Sequence, residues 1–443
     1  MSTTGSKQGL ASEMTFTKGR NRDRCILGLV IVGGVALLIG LAVAIPMSKR
    51  DTHTAPSHLE SAKQFLQTNV LIDGHNDLPW QYRRYAYNKV NDIKLNEDTR
   101  IEWPPGTPMN DNSYEAIYAQ TDIPRLREGR VGAQFWAAFI ICASRAKDAV
   151  RQGFDQVDVI HKFIAKYPET FTMALTADDI ETTFANGKIA SLIGLEGGHM
   201  IANTLGVLRM FYQTGVRYMT LTHSCDIDWA DNYKADENGG VSKGLTDFGR
   251  TVVREMNRIG MMIDLSHVSH QTMLDAMETS EAPVIFSHSS VFSLCSHYRN
   301  VQDDVLLKLK ENNGIIMINF YTGYINNATD HRNTTTVYQV ADHIDYVRNL
   351  IGADYVGMGA DYDGVATMPI ELQDVSTFPV LFAELMKRNW STEDLVKLAG
   401  SNLLRVFRAV EKVRDEKIAM APFEDIIDSA DFVLPHFNCT TSF

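Results

Sequence analysis

The chain has 443 residues, 44% of them hydrophobic and 22% charged, so it can bury one large domain or two medium ones. Lys and Arg total 42 against 54 Asp and Glu, and the net charge of −12 argues against nucleic acid as a partner. No internal repeat or low-complexity tract is present.

Residues 1–24 are polar and end in the basic cluster Lys18, Arg20, Arg22 and Arg24. Residues 25–46 predict a transmembrane signal-anchor. Ile26 to Ile45 run uncharged and almost wholly apolar, about the 20 residues that span a hydrocarbon core. That stretch is longer than the apolar region of a cleavable signal, and no convincing small-x-small cleavage site precedes Pro46. The basic flank puts the N-terminus in the cytosol, which makes this a single-pass type II plasma-membrane protein with its bulk extracellular. Residues 47–60 read as a stalk, 61–415 as one domain, and 416–443 as a tail packed on it. An outside location makes the sequons at Asn327, Asn333, Asn389 and Asn438 glycosylation candidates. It also permits disulfides among Cys142, Cys225, Cys295 and Cys439, with three pairings open.

Within the domain, short apolar runs recur at Val70–Ile72, Ala133–Ile141, Ser191–Leu195, Tyr218–Thr222, Met261–Leu265, Val284–Phe286, Ile315–Asn319 and Tyr355–Gly359. Several are continuous rather than alternating, as strands covered on both faces require. The segments between them have helical spacing: Leu245, Phe248, Val252, Met256 and Ile259 recur at three- and four-residue steps. Ser391-Thr392-Glu393-Asp394 resembles a capping box and opens a helix through Phe407. Strands alternating with helices predict the α/β class and a (β/α)8 barrel of the TIM type.

Chemistry in such a barrel sits at the C-terminal strand ends. There the sequence places His75 with Asp77, then Glu196, His223, His267, His288 and Asp361. A lone His-x-Asp is more often a loop pair than a ligand pair. Six strand ends converging on one ring are different, because their carboxylates would repel and their burial would be costly without a cation. Imidazole and carboxylate without thiolate suit Zn²⁺. So many ligands fit two metals bridged by a carboxylate better than one. His199 and His270 lie past their strand ends and read as non-ligands, and His297 as a surface or supporting residue. Asp228 and Asp231 read as groups that order a loop. Asp363 reads as orienting its own loop, Gly364 as offering a backbone amide to substrate, and Leu78-Pro79-Trp80 as closing the loop beside the substrate.

The motifs Asp-Gly-His-Asn-Asp-Leu-Pro, Gly-Leu-Glu-Gly-Gly, Leu-Thr-His-Ser-Cys, Asp-Leu-Ser-His, Phe-Ser-His-Ser-Ser, Ser-His-Tyr-Arg-Asn and Gly-Ala-Asp-Tyr-Asp-Gly occur in that order from Asp73 to Gly364. In this the chain resembles the membrane dipeptidase (renal dipeptidase) family, zinc enzymes with an amidohydrolase-like barrel. The resemblance implies His75, Asp77 and Glu196 on one zinc and Glu196, His267 and His288 on a second, with Glu196 bridging. It further implies that His223 contacts the substrate carbonyl, that Arg299 binds the dipeptide's terminal carboxylate, and that Tyr324 contacts substrate. Asp361 would shuttle the proton, and the nucleophile would be a hydroxide activated by both zincs. The implied substrates are dipeptides, extending to cysteinyl-glycine compounds, D-residue dipeptides and some β-lactams. The alternative is a catalytically weak or inactive surface receptor or adhesion protein that keeps the barrel; against it, every expected position is filled.

The same resemblance implies a Cys142–Cys225 disulfide. At the position that would pair with Cys295 stands Asn327, leaving Cys295 a free buried thiol. Cys439 is expected to form an interchain bond in a homodimer. The chain ends Asn438-Cys-Thr-Thr-Ser-Phe443 without an apolar tail, so the N-terminal helix is expected to replace the glycolipid anchor of relatives.

Overall fold

The apolar runs become the parallel strands β1 (Leu71–Asn76), β2 (Val131–Phe139), β4 (Ile189–Glu196), β5 (Val216–Thr220), β6 (Met262–Asp264), β7 (Ile285–Phe286), β8 (Ile315–Ile318) and β9 (Val356–Met358), and a further strand, β3 (Phe171–Met173), joins them. Every residue of β1, β2 and β4 is buried, which explains their continuous hydrophobicity. The computed structural model describes residues 57–102 and 119–433. The expected signal-anchor, the residues around it from 1 to 56, Asn438 and Cys439 lie outside that range. No helix among the described residues is long and apolar enough to cross a membrane.

Eight strands close a ring in the order β1, β2, β4, β5, β6, β7, β8, β9. Closure comes from β9 returning to β1 through Met358 and Asp73, and from β2 pairing with β4 along Ala133–Phe139. The eight-stranded barrel is therefore as expected. β3 is an addition that the expected strands did not include. It lies outside the ring beside Ile189–Ser191, where β4 has not yet met β5 at Ile193. Phe171-Thr172-Met173 is too short to show a period.

Helices cover the ring, and their ends follow the sequence. In Asp247–Ile259, Phe248, Val252, Met256 and Ile259 face the core; Thr246 caps the start by accepting from Gly249 N, and Gly260 (φ +81°) ends it. Ser391 Oγ accepts from Asp394 N at 3.1 Å, as a cap should. The reciprocal half of the expected box is missing, because the Asp394 carboxylate goes to Arg348 instead (2.7 Å). The helix that follows widens to a π turn at Lys397–Ser401 before continuing as Asn402–Glu416. Leu403, Leu404 and Phe407 from that last segment join the core formed by Ile72, Phe135, Leu192 and Met317. Residues 417–433 run along the barrel, with Arg209 donating to Phe423 O and Val433 N donating to Asp228.

Candidate metal and substrate site

His75 is the penultimate residue of β1, and Asp77 is the N-cap of the helix Leu78–Ala86. Strand alternation turns them to one side, while Asn76 between them points away, to Thr121 Oγ1. Glu196 is the last residue of β4. His223, His267, His288 and Asp361 follow β5, β6, β7 and β9 within three residues. His267 (φ +70°), Asp361 (φ +68°) and Asp363 (φ +63°) take left-handed backbone that side chains rarely adopt. Such strain persists where the surroundings enforce it, typically at functional sites.

These side chains meet at one carboxylate oxygen. Oε1 of Glu196 lies 3.1 Å from His267 Nε2, 3.3 Å from His288 Nε2 and 3.6 Å from His75 Nε2. Asp77 Oδ2 is 3.2 Å and Asp361 Oδ1 4.0 Å from His75 Nε2, and His223 Nε2 is 3.9 Å from Glu196 Oε1. The Nε2 atoms of His267 and His288 are 2.9 Å apart.

The surroundings set which ring nitrogens carry hydrogen. Tyr218 Oη donates to Gly74 O (3.2 Å), so it must accept from His75 Nδ1–H (2.9 Å). Ser287 Oγ donates to the Asp264 carboxylate (2.5 Å), which cannot donate back, so Ser287 accepts from His288 Nδ1–H (2.8 Å). Thr220 Oγ1 holds the same Asp264 oxygen at 2.5 Å. Both imidazoles therefore commit Nδ1 as a donor and turn Nε2 inward, the nitrogen left for metal ligation. His75 Nε2 is buried without a hydrogen bond among the described residues.

The electrostatics point the same way. Burial pushes Asp361 up to about 8 and Asp77 up to about 6, against the pull of His75 on both. Burial also works to raise Glu196, yet the imidazoles, His75 foremost, take it well below the carboxylate range. Burial works to lower His75, but Tyr218, Glu196 and Asp77 lift it well above its ordinary value. Burial holds His223 down to about 4, so it is neutral at pH 7. The side chains by themselves thus keep protons that a divalent cation would displace. A nitrogen and oxygen donor set with inward ring nitrogens and proton-retaining carboxylates fits zinc.

Beside this cluster lies a cleft of about 180 Å³, walled by Trp80, Phe139, Arg299, Tyr324 and Val365. Arg299 is 1% exposed and makes no salt bridge among the described residues. Its NH1 donates to Ser289 Oγ (2.8 Å) and NH2 to His288 O (2.9 Å), while Nε has no hydrogen-bond partner there. The Tyr324 ring lies 5.6 Å from the guanidinium.

Two expectations are corrected. Gly364 does not offer its amide outward, because that N–H donates to Asp361 O (3.2 Å). Leu78-Pro79-Trp80 is not a closing loop but the first turn of a helix, its Pro near the start where no N–H is needed. From there Trp80 meets Phe139 edge-on at 5.0 Å.

None of the remaining polar residues makes an ion pair with the cluster among the described residues. His270 pairs with Asp304 (2.8 Å), Asp231 accepts from Lys243 and Gly244, and Asp228 accepts from Asn203 and Val433. His199 is buried and held down to about 3, first by that burial. His297 accepts from Arg299 N and packs on Tyr324. Asp363 locks its loop by accepting from Gln120 N (2.8 Å). Cys142 and Cys225 form the disulfide, and Cys295 is free and buried. Asn327, Asn333 and Asn389 are exposed.

Sequence reasoning missed the supports. Asn319, at the end of the eighth strand, donates to Asp361 Oδ2 (2.8 Å). Tyr218 and Asp264 support the ligands from inside apolar runs, and Ser287 from the residue after one. The visible signal was Asp264 and Asn319 as polar residues in otherwise hydrophobic strands.

A parallel eight-stranded barrel with imidazoles and carboxylates gathered at its C-terminal end defines a metal-dependent hydrolase with an amidohydrolase-like fold. Residues 59–420 match the membrane dipeptidase family (peptidase family M19), to which the chain belongs. Rat dipeptidase 3 is 43% identical over 372 residues, covering 83% of this chain and 71% of that protein. The probable dipeptidase PvdM from Pseudomonas aeruginosa superposes with a TM-score of 0.70 at 19% identity, over 80% of this chain and 99% of that one. A metallopeptidase from Rhodobacter sphaeroides, solved with a phosphinate mimic of the dipeptide L-Ala-D-Ala, gives 0.66 at 23% identity, over 77% and 99%. The protein is accordingly a metallohydrolase of peptide bonds.

Proposed function

We propose that this chain is a cell-surface dipeptidase using two zinc ions, with dipeptides bearing a free C-terminal carboxylate as substrates. The observation that carries the reading is the pairing of two features in one cleft: imidazoles gathered on Glu196, and a buried Arg299 that makes no salt bridge among the described residues.

His75, Asp77 and Glu196 would hold one zinc, and Glu196, His267 and His288 the other. When bound, zinc supplies Lewis acidity and makes water a competent nucleophile near neutral pH. The rest falls to the chain. Arg299 receives the substrate carboxylate as a charge-assisted pair, which relieves an otherwise uncompensated buried cation. Tyr324, beside it, limits how far the C-terminal residue can shift. Neutral His223 donates one hydrogen bond to the oxygen that gains charge at the attacked carbonyl. Asp361 takes the proton from the attacking water and returns it to the leaving amine, held for that task by the Asn319 amide (2.8 Å). Trp80 and Phe139 exclude bulk water from the opposite wall. The N-terminal segment supports a type II orientation, which would expose Asn327, Asn333 and Asn389 to glycosylation.

The test is hydrolysis by the purified, zinc-loaded chain of L-Ala-L-Ala, L-Ala-D-Ala, cysteinyl-glycine and a dipeptide amide. Free dipeptides should be cleaved, with the amide about 100-fold poorer in kcat/KM for want of the Arg299 partner. No amino acid released from any dipeptide would overturn the reading, as would an amide cleaved equally well.

A further inference from the structure

Arg299 poses a mechanical problem. A guanidinium buried without a counter-ion is stabilised by swinging into water, and its loop would go with it unless fastened. That loop runs from β7 to the helix Asp303–Asn312, and Tyr324 sits on the neighbouring turn Thr322–Ile325.

Three side chains join the two segments. Asn300, fully buried and next to Arg299, donates both amide hydrogens, one to Cys295 O in its own loop and one to Tyr324 O, each at 2.8 Å. His343, on the helix Val337–Leu350 and 1% exposed, accepts from Val291 N at 3.0 Å through Nδ1. Its Nε2–H donates to Ile325 O at 3.1 Å. One neutral tautomer satisfies both contacts, and burial keeps the ring neutral by holding it down to about 4. Outside, the exposed Asn327 amide accepts from Ser296 N (3.1 Å) and donates to Leu294 O (3.2 Å), on either side of the free Cys295.

We propose that Asn300, His343 and Asn327 are positioning residues that fasten the Arg299 loop to the Tyr324 turn and so preset the end of the cleft that receives the substrate carboxylate. None of them touches substrate. The inference rests on the reading of Arg299 as the carboxylate partner.

The test compares kcat and KM of the zinc-loaded full chain on L-Ala-L-Ala and on its C-terminal amide, with melting temperature and zinc content measured alongside. His343→Gln and Asn300→Ala should raise KM for the dipeptide about tenfold while kcat stays within about threefold, and leave the amide unaffected. Asn327→Ala, exposed and safe for folding, should raise KM about threefold, whereas Thr329→Ala, which removes the same sequon but keeps the amide, should not. An unchanged dipeptide KM in Asn327→Ala and in whichever buried variant folds overturns the proposal, and so does an equal loss on both substrates. If Arg299→Ala itself leaves that KM unchanged, it is the reading of Arg299 that falls.

Discussion

Asn319 Nδ2 donates to Asp361 Oδ2 at 2.8 Å, while Asn319 Oδ1 accepts from the Tyr321 backbone N–H at 2.5 Å. The second bond fixes which way the amide faces, so it must present hydrogen to the carboxylate. Asp361 then turns its other oxygen, Oδ1, toward His75. Asn319→Ala should lower kcat about 10- to 100-fold at nearly constant KM, because the proton carrier loses its orientation while carboxylate binding is untouched. Steady-state kinetics on a dipeptide check this; a rise in KM alone would contradict it.

Gly364 allows two carboxylates to stand close. A Cβ built on it would come within 2.1 Å of Asp77 Oδ2 and 2.5 Å of Asp361 Oδ1. Gly364→Ala should therefore displace a metal ligand and the proton carrier together, and cost at least about 100-fold in kcat/KM. Global stability should change far less, by about 1–3 kcal/mol, a range typical of a single overpacked site. Chemical denaturation beside kinetics separates the two effects.

The hydrogen bonds behind the ligands carry a separate prediction. Tyr218→Phe removes the acceptor for His75 Nδ1–H, and Ser287→Ala removes the one for His288 Nδ1–H. Each should weaken zinc affinity about 10- to 100-fold, as loss of a ligand's orienting partner usually does. Competition against a chelator of known affinity measures it; unchanged affinity in both variants would contradict the tautomer assignment.

Zinc uptake should release protons. Asp361 is raised to about 8 and Asp77 to about 6, and His75 stands well above its ordinary value, so these groups hold protons at pH values where ordinary carboxylates and imidazoles would not. A raised pKa means the proton remains below that pH and competes with the cation. Apparent affinity should therefore fall as pH drops from about 8 to about 5. Calorimetry at pH 7 in buffers of different ionisation enthalpy reads the release directly, and buffer-independent heats would contradict it.

Much of the barrel was legible because β1, β2 and β4 are buried on both faces, which writes them as unbroken apolar runs. β3 was not, since a three-residue strand outside the ring carries no period. His75, Glu196, His267 and His288 stood out because charge at the end of an apolar run is conspicuous. Asn319 and Tyr218 did not, because a neutral side chain declares its role through its hydrogen-bond partner, and theirs follow or lie on other strands; Ser287 did not, because what turns it to its neighbour His288 is Asp264 on another strand. Gly364 and Trp80 were misread for a related reason: whether an amide is free, or a turn begins a helix, depends on what packs against it.

The central claim is that Glu196 joins two zinc sites which together drive dipeptide hydrolysis. Zinc content measured by mass spectrometry, followed through chelation and stepwise re-addition while dipeptidase activity is recorded, tests it most directly. Activity should vanish without metal and return in step with zinc up to two equivalents per chain, and Glu196→Gln should neither retain both ions nor recover. An active metal-free chain, or full activity at a single equivalent, would contradict the account.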